Sequence, residues 1–441
     1  MPPPPATLFE ALDRHAAWRP EADALRLGDT VLSWAKLRAQ VASRSAELAL
    51  LPRTATPVVL KTENMPECVV ELLARLFSGF GVLPLNAHLP QGEVERLTKQ
   101  AAREGAPPPG RPGWLCLPSS GTTGLPKLVR RELSALDAVA RQTVRATGLR
   151  PDDRMLLAVP ISHSYGVDCL VSAILSGATL ELENTFDPAR LHARLRETRA
   201  TVLPVVPVMV EMMVLLSDGV SLPDLRLVYC AGAPLLPSLW CEAKAKLGVK
   251  IGVLYGATEM GSVFFEQGGA PGFDPSCVGF PMESATARFG GDGEVFIRAD
   301  SMMSAYWDAD NSSGGNGGLT EDGWFATGDL GELTPEGRLR LTGRKKLLID
   351  VGGSKVNPLE VEAILREHSA VAQCVCVAEP VSDTIRRVKA LVVMRAGCAF
   401  DPAALKEHCK TLLAAHKVPR IFEERSALPL SPTGKVLRGN L

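Results

Sequence analysis

Leu117-Pro-Ser-Ser-Gly-Thr-Thr-Gly-Leu-Pro-Lys-Leu-Val-Arg-Arg131 decides how the rest of this sequence is read. Four hydroxyl side chains (Ser119, Ser120, Thr122 and Thr123) crowd two glycines, Gly121 and Gly124, and Lys127 follows closely. Glycine lets a backbone wrap an anion with its N–H groups turned inward. Lysine adds a compact positive charge for phosphate oxygens. The apolar run Trp114 to Leu117 reads as a strand feeding the loop, and the whole reads as a phosphate cradle over Ser119 to Lys127. Two plainer readings compete. Segments rich in Ser, Thr and Gly are commonly solvated loops. A nucleotide P-loop needs Gly-Lys-Ser/Thr in succession, whereas Leu125 and Pro126 separate Gly124 from Lys127.

Working outward, the amino-terminal side alternates helix and strand. Leu8 to Trp18 has helical spacing, with Leu8, Leu12 and Ala16 on one face. Ala24 to Trp34 is hairpin-like around Gly28-Asp29. A helix over about 35–50, a strand at Pro57 to Lys61, a helix over 65–79 and a strand at Gly81 to Asn86 follow. Such alternation predicts a doubly wound, mainly parallel sheet. Only about thirty residues, ending in the proline-rich Ala106 to Pro112, separate Asn86 from the cradle.

On the carboxyl side, Leu133 to Thr147 is expected to be helix. Met155 to Pro160 is a buried-strand run, and Ile161-Ser-His-Ser-Tyr-Gly166 turns into another apolar helix. Further strands are expected at 177–182, 200–204, 225–230 and 251–255. From Glu294 the pattern changes to short strands and turns. Gly343-Arg-Lys-Lys346 marks a domain boundary, followed by a compact α+β module of about a hundred residues, within the usual domain range. The division expected is 1–343 and 344–441.

Bulk properties set outer limits. At 441 residues the chain exceeds one ordinary core. Apolar residues make up 46% and charged residues 22%, as in a soluble globular protein. A net charge of −1 gives no electrostatic case for nucleic acid or an anionic membrane as partner. Ten cysteines without a Cys-x-x-Cys pair read as reduced thiols. The amino terminus lacks the basic-then-apolar signal pattern, and no apolar run approaches ~18 residues. The expected location is cytoplasmic, and the expected assembly a monomer or homodimer.

Taken with Tyr255-Gly-Ala-Thr-Glu-Met-Gly261, Ala231-Gly-Ala-Pro-Leu235, Thr327-Gly-Asp-Leu330, Gly343-Arg344 and Pro429-Leu-Ser-Pro-Thr-Gly-Lys435, the cradle resembles the signature of the adenylate-forming enzymes. These include acyl- and aryl-CoA synthetases, peptide-synthetase adenylation domains and firefly luciferase. The motifs follow in family order, and the resemblance covers residues from about 8 to 438. It implies an α/β fold: a large domain with doubly wound, mainly parallel sheets and a β-rich subdomain, then a small mobile α+β domain. It also implies ATP and magnesium as cofactors. A carboxylic acid becomes an acyl-adenylate with loss of pyrophosphate, then a thioester of coenzyme A or of the phosphopantetheine on a separate carrier protein.

The resemblance assigns roles residue by residue. Thr258 contacts the α-phosphate and Glu259 binds magnesium, while Tyr255 and Gly256 complete that motif. Gly232, Ala233 and Pro234 lie against adenine, Asp329 takes the ribose hydroxyls, and Arg344 lies near ribose and phosphate. Lys435 meets the carboxylate and α-phosphate in the first half-reaction. Lys346 falls on the hinge position and Gly353 on the thiol tunnel. The acid pocket implied comprises His163, Ser164, Tyr165, Gly166, Val206, Gly256 and Ala257. Without an evident carboxylate for an α-amino group (Asp168 lies close by), the pocket favours an aryl or acyl acid over an amino acid.

Three departures from the family pattern stand out. The usual His after the cradle lysine is absent, with Leu133 nearby. Ser382 to Arg387 lacks the glycine common there, and Asp350 replaces a basic or amide residue beyond the hinge. The interval from Asn86 to Leu117 is shorter than usual, so the sheet is expected to lack an element. Two alternatives therefore stay open: an adenylating enzyme delivering to an amine, and a catalytically inactive nucleotide-binding or scaffold member.

Overall fold

The computed structural model describes residues 5–102, 113–119, 126–217, 222–307, 319–351, 354–380, 386–430, 436–438 and 441. The central helix, Ser164–Ser176, is buried at every residue and apolar except for the stripe Ser164, Asp168, Ser172 and Ser176, each hydrogen-bonded. Gly166 admits its first turn: a Cβ there would stand 2.1 Å from the Pro160 carbonyl oxygen.

Two sheets hold most of the remaining strands. The larger has thirteen strands. Its middle is parallel, running through Ile251–Ala257, Leu227–Cys230, Val202–Val205, Arg154–Leu157, Thr179–Leu182 and Asp23–Leu27. Beyond Ile251–Ala257 the pairing turns antiparallel through Gly261–Glu266, Cys277–Pro281, Leu339–Arg344, Phe325–Leu333, Glu294–Arg298 and Thr286–Phe289. That is the β-rich region, with its own apolar cluster around Phe264, Val295 and Leu339. The second sheet has five strands, Ala305–Tyr306, Leu128–Glu132, Trp114–Pro118, Gly81–Asn86 and Val58–Thr62 in that order.

The shortened interval before the cradle still holds a crossover element. Helix Gln91–Ala101 joins the parallel strands Gly81–Asn86 and Trp114–Pro118 and buries Val94, Leu97 and Ala101. It starts at Pro90 without a side-chain cap, so the start signal that marks most helices is absent from its sequence. Near the carboxyl end, strands Val371–Pro380, Arg386–Met394 and Ile421–Glu424 form a separate sheet. It packs with helices Pro358–Glu367 and Pro402–Leu412 around Val361, Leu365, Cys376, Val392 and Leu405. The large parallel-rich sheet, β-rich region and smaller carboxyl-terminal unit match the α/β fold expected. All ten cysteines carry free thiols.

One buried charge joins the layers that carry the motifs. Arg131, on strand Leu128–Glu132, is 0% exposed. Its Nη1 donates to Asp168 Oδ1 at 2.8 Å and to Ser164 Oγ at 3.3 Å. Ser262 on the neighbouring sheet donates to the other Asp168 oxygen at 3.0 Å. The backbone folds closely over the guanidinium at Gly261, whose φ of +68° suits glycine and where a Cβ would sit 2.8 Å from Nη2. Two desolvated charges gain little net stability together, but removing one strands the other, at about 3–5 kcal/mol.

Asp168→Ala should therefore lose about 3–5 kcal/mol in chemical denaturation, and Arg131→Met combined with Asp168→Leu should regain most of it. A loss below about 1 kcal/mol for Asp168→Ala would show that the pair does not clamp these layers. Asp137 gives a second, pH-dependent test. Its buried carboxylate accepts the Leu8 N–H at 2.8 Å, and burial pushes its pKa up to about 6. A carboxyl raised above its unfolded value contributes stability that is present below about pH 4 and is lost as pH rises through about 6. Asp137→Asn keeps an acceptor for Leu8 without the charge. In chemical denaturation it should be more stable than the parent above pH ~6, by roughly 3 kcal/mol at most, and no more stable below pH ~4.

Candidate active site

The cradle is mounted on a hairpin. Strands Trp114–Pro118 and Leu128–Glu132 pair antiparallel, with Pro118 opposite Leu128. The Ser119 N–H donates to the Lys127 carbonyl at 2.7 Å and closes the mouth of the loop. Ser120, Gly121, Thr122, Thr123 and Gly124 lie outside the described residues. A P-loop runs from a strand into a helix; here the chain returns as a strand, which separates the two. Lys127 Nζ sits 4.3 Å from the centroid of the Tyr306 ring.

Thr258 and Glu259 occupy the turn between strands Ile251–Ala257 and Gly261–Glu266. Gly256 is required by close packing: a Cβ would lie 2.4 Å from the Gly261 carbonyl oxygen. The Met303 N–H donates to the Glu259 carbonyl at 2.8 Å, and the Tyr306 hydroxyl donates to Glu259 Oε1 at 3.0 Å. Lys127 and Glu259, distant in sequence, thus meet the same tyrosine.

A second cluster joins Tyr255 to the β-rich region. The Tyr255 hydroxyl donates to Asp329 Oδ2 at 2.7 Å, and Arg344 Nε lies 3.5 Å from Asp329 Oδ1. Asp329 and Arg344 face each other across the pair Phe325–Leu333 and Leu339–Arg344. Burial pushes the Tyr255 hydroxyl well above its usual pKa, and the Asp329 charge adds to that, so it stays a neutral donor to the carboxylate. Gly232, Ala233 and Pro234 follow strand Leu227–Cys230, and Val206 follows Val202–Val205. These positions and Ala257 lie at carboxyl ends of adjacent parallel strands, where α/β sheets place ligands.

Most pocket residues are held in the interior. His163 stands at the amino-terminal cap of the central helix. Ser164 receives a hydrogen bond from Arg131, and the Tyr165 hydroxyl donates to the Tyr229 carbonyl at 3.0 Å. Both Asp168 oxygens are engaged, by Arg131 and Ser262. Lys346 is exposed in the short 3₁₀ turn Lys345–Leu347, while Lys345 pairs with Asp292 at 2.6 Å and Glu294 at 2.8 Å. Gly353, Lys435 and residues 382–385 lie outside the described residues, whereas Leu430 and Val436, flanking Lys435, form an antiparallel bridge.

The sequence reading passed over Tyr306 and Trp307. Their segment is stitched to the cradle strand by Ser304 N to Arg130 O at 2.9 Å and Trp307 N to Leu128 O at 2.6 Å. Two adjacent aromatics just after Met302, Met303 and two small residues were the available signal. The donor set fits a magnesium nucleotide. Glu259 brings one carboxylate beside the cradle, and among the described residues no group of three His, Cys, Asp or Glu side chains could hold a metal alone. Magnesium, which takes few protein oxygens and completes its shell from phosphate and water, suits such a site.

Comparison with known proteins agrees. The AMP-binding enzyme family model matches residues 114–307, and the AMP-binding enzyme C-terminal domain matches 360–435. Indoleacetate–CoA ligase of Aromatoleum aromaticum is 27% identical over 98% of this chain and 97% of its own length. 2-Succinylbenzoate–CoA ligase of Geobacillus kaustophilus is 30% identical over 73% of this chain and 67% of its own. Sulfoacetate–CoA ligase of Cupriavidus necator is 29% identical over 77% and 69%. Among solved structures, ATP-bound MatB from Rhodopseudomonas palustris has the same fold, with a TM-score of 0.89 at 23% identity over 99% of this chain and 98% of that one. The chain belongs to the AMP-binding enzyme family of adenylate-forming enzymes, and it is an AMP-forming acid–thiol ligase.

Proposed function

We propose that this ligase activates a small aryl or acyl acid and passes it to coenzyme A, using the residues brought together above. The observation that carries the reading is the convergence of Lys127, Glu259, Tyr255, Asp329 and Arg344 around the carboxyl ends of the parallel strands. In the first half-reaction the acid's carboxylate attacks the α-phosphorus of ATP, the bond to pyrophosphate breaks, and an acyl-adenylate forms. Magnesium neutralises charge on the phosphates. Lys127 pairs with phosphate oxygens, Glu259 holds the metal, and Thr258 donates to the α-phosphate. Asp329 takes both ribose hydroxyls, as an ionised carboxylate can with two oxygens, and Arg344 adds positive charge beside them. Gly232, Ala233 and Pro234 offer a flat backbone surface to adenine. In the second half-reaction a thiol attacks the acyl carbon and AMP leaves.

Asp168 bears on the choice of acid. It is 3% exposed and both its oxygens are taken, so it is not available to an α-amino group, which favours an aryl or acyl acid. The indoleacetate and 2-succinylbenzoate ligases among the relatives bear ring-containing acids in their names, which supports the aryl side. Coenzyme A is preferred to a separate carrier protein because the relatives compared are CoA ligases. No helix of the described residues is long and apolar enough to cross a membrane, which accords with a cytoplasmic setting.

The division at 343/344, the hinge at Lys346, the tunnel at Gly353 and the task of Lys435 form one mechanism. The small domain presents Lys435 to the phosphates for adenylation, then rotates about Lys346 to bring Gly353 to the thiol path.

Pyrophosphate release with a panel of aryl and acyl acids should single out one class. Release with none of them would favour an inactive member. Glu259→Gln should raise the magnesium needed for half-maximal release; unchanged dependence would remove Glu259 from the metal. A separate experiment divides the half-reactions. Lys435→Ala should slow adenylate formation by ~10²–10³ yet leave thioester formation from supplied acyl-adenylate nearly normal. Lys346→Pro should do the reverse, because proline fixes φ against rotation. Equal damage to both steps by Lys435→Ala would count against two poses.

A further inference from the structure

We propose that Tyr306 is a positioning residue that sets both Lys127 and Glu259 for the magnesium nucleotide, an inference that rests on the site reading above. Two separate parts of one side chain are engaged. The ring lies under the Lys127 ammonium at 4.3 Å, and the hydroxyl donates to Glu259 Oε1 at 3.0 Å. The backbone around it is pinned on both flanks. Ala305 and Tyr306 pair with Arg130 and Val129 of the cradle hairpin, and Met303 N–H donates to the Glu259 carbonyl. Trp307 anchors the segment, its Nε1 donating to the Ala101 carbonyl at 2.9 Å and its ring centroid 4.5 Å from that of Trp114. The tyrosine therefore sits at a fixed height between the two motifs.

Without nucleotide, Lys127 and Glu259 are opposite charges that could close on each other. The phenol stands between them, its ring face attracting the cation and its O–H attracting the anion. The Lys127 contact is replaceable. Phosphate oxygens make stronger, charge-assisted bonds to the ammonium than a ring does, so Lys127 can leave the ring. Glu259 would keep the phenol on Oε1 and hold the metal with its other oxygen. The residue spares the site a rearrangement when the nucleotide arrives, as preorganised groups do.

The test is calorimetric titration of ATP into the full-length protein at stepped free magnesium, with thermal melting in the absence of nucleotide. Tyr306→Phe keeps the ring and loses the hydroxyl. The magnesium concentration for half-maximal ATP binding should rise about five- to tenfold, as expected for losing a hydrogen bond to a charged group, with melting unchanged. Tyr306→Leu removes the ring as well and should also weaken ATP at saturating magnesium. Glu259→Gln is the control for the underlying reading. If Glu259→Gln raises the magnesium requirement and Tyr306→Phe does not, the proposal fails while the site reading stands. If Tyr306→Phe only lowers the melting temperature, the tyrosine is structural and the proposal also fails. If neither variant moves the magnesium requirement, the metal assignment falls and the proposal with it.

Discussion

The Arg131–Asp168 pair is the constraint on which the arrangement of motifs depends. Arg131 belongs to the strand that leaves the phosphate cradle, Asp168 to the central helix, and Ser262 to the strand that leaves the Thr258-Glu259 turn. A single carboxylate therefore fixes three elements, each of which carries one side of the site. The position is chemically demanding, because a wholly buried guanidinium needs its counter-ion in place. Its return is specificity of arrangement rather than stability. Apolar contacts allow small slides between a helix and two sheets; bonds to both oxygens of one carboxylate do not.

With that frame fixed, the site takes its character from where strands stop. Parallel strands end at Val205, Cys230 and Ala257; the small Gly232 and Ala233 lie beyond Cys230, and Thr258 and Glu259 lie beyond Ala257. Further charged and hydroxyl groups enter from the antiparallel side, through Asp329 and Arg344, and from the second sheet, through Lys127 and Tyr306. Both sheets thus bring polar groups to the site. Tyr255 links the parallel and β-rich regions, since it sits on a parallel strand yet donates to a carboxylate of the β-rich region.

Regular elements were legible in the sequence where period and boundary signals agreed. Leu133–Thr147 ends at Gly148 in the left-handed region, and Gly81–Asn86 is an uninterrupted apolar strand after Gly79; both stand where the pattern put them. Helix Gln91–Ala101 was missed because Pro90 supplies no capping side chain and its apolar face is only three residues deep. That helix occupies the short interval between strands Gly81–Asn86 and Trp114–Pro118, and no further strand is described there. Motif order led to the family, but spacing along a chain does not reveal which side chains meet. Tyr165 was expected to line the acid pocket; that its hydroxyl is directed to the Tyr229 carbonyl and that it is 8% exposed could only be learned from the fold. Asp168 was noticed only for lying near the pocket; its partner Arg131 lies 37 positions earlier, and nothing in the sequence joins them. Tyr306 falls outside every quoted motif, so only the fold brings it to Glu259.

The same physical reasoning bears on the proposed movement of the small domain. Arg344 ends a strand of the large sheet, and Lys345 is tied to Asp292 and Glu294. Ile349 already belongs to the carboxyl-terminal core. The handover between cores is thus confined to Lys346, Leu347 and Leu348, which is short enough for a few backbone dihedrals to carry a rotation. Among the described residues contacts cross it: the Glu211 carboxylate lies within electrostatic reach of Arg366 and Arg395, and Asn357 caps its own helix through Oδ1 while its Nδ2 donates to the Thr342 carbonyl at 2.7 Å. A Cβ on Gly343 would come within 3.0 Å of that amide, so glycine there lets the side chain reach across. A rotation about Lys346 would release the hydrogen bond to Thr342 but need not disturb the cap, because the two halves of the amide serve different partners. Exposed lysine pairs on the large side contribute little and are screened by salt, so they oppose the movement weakly.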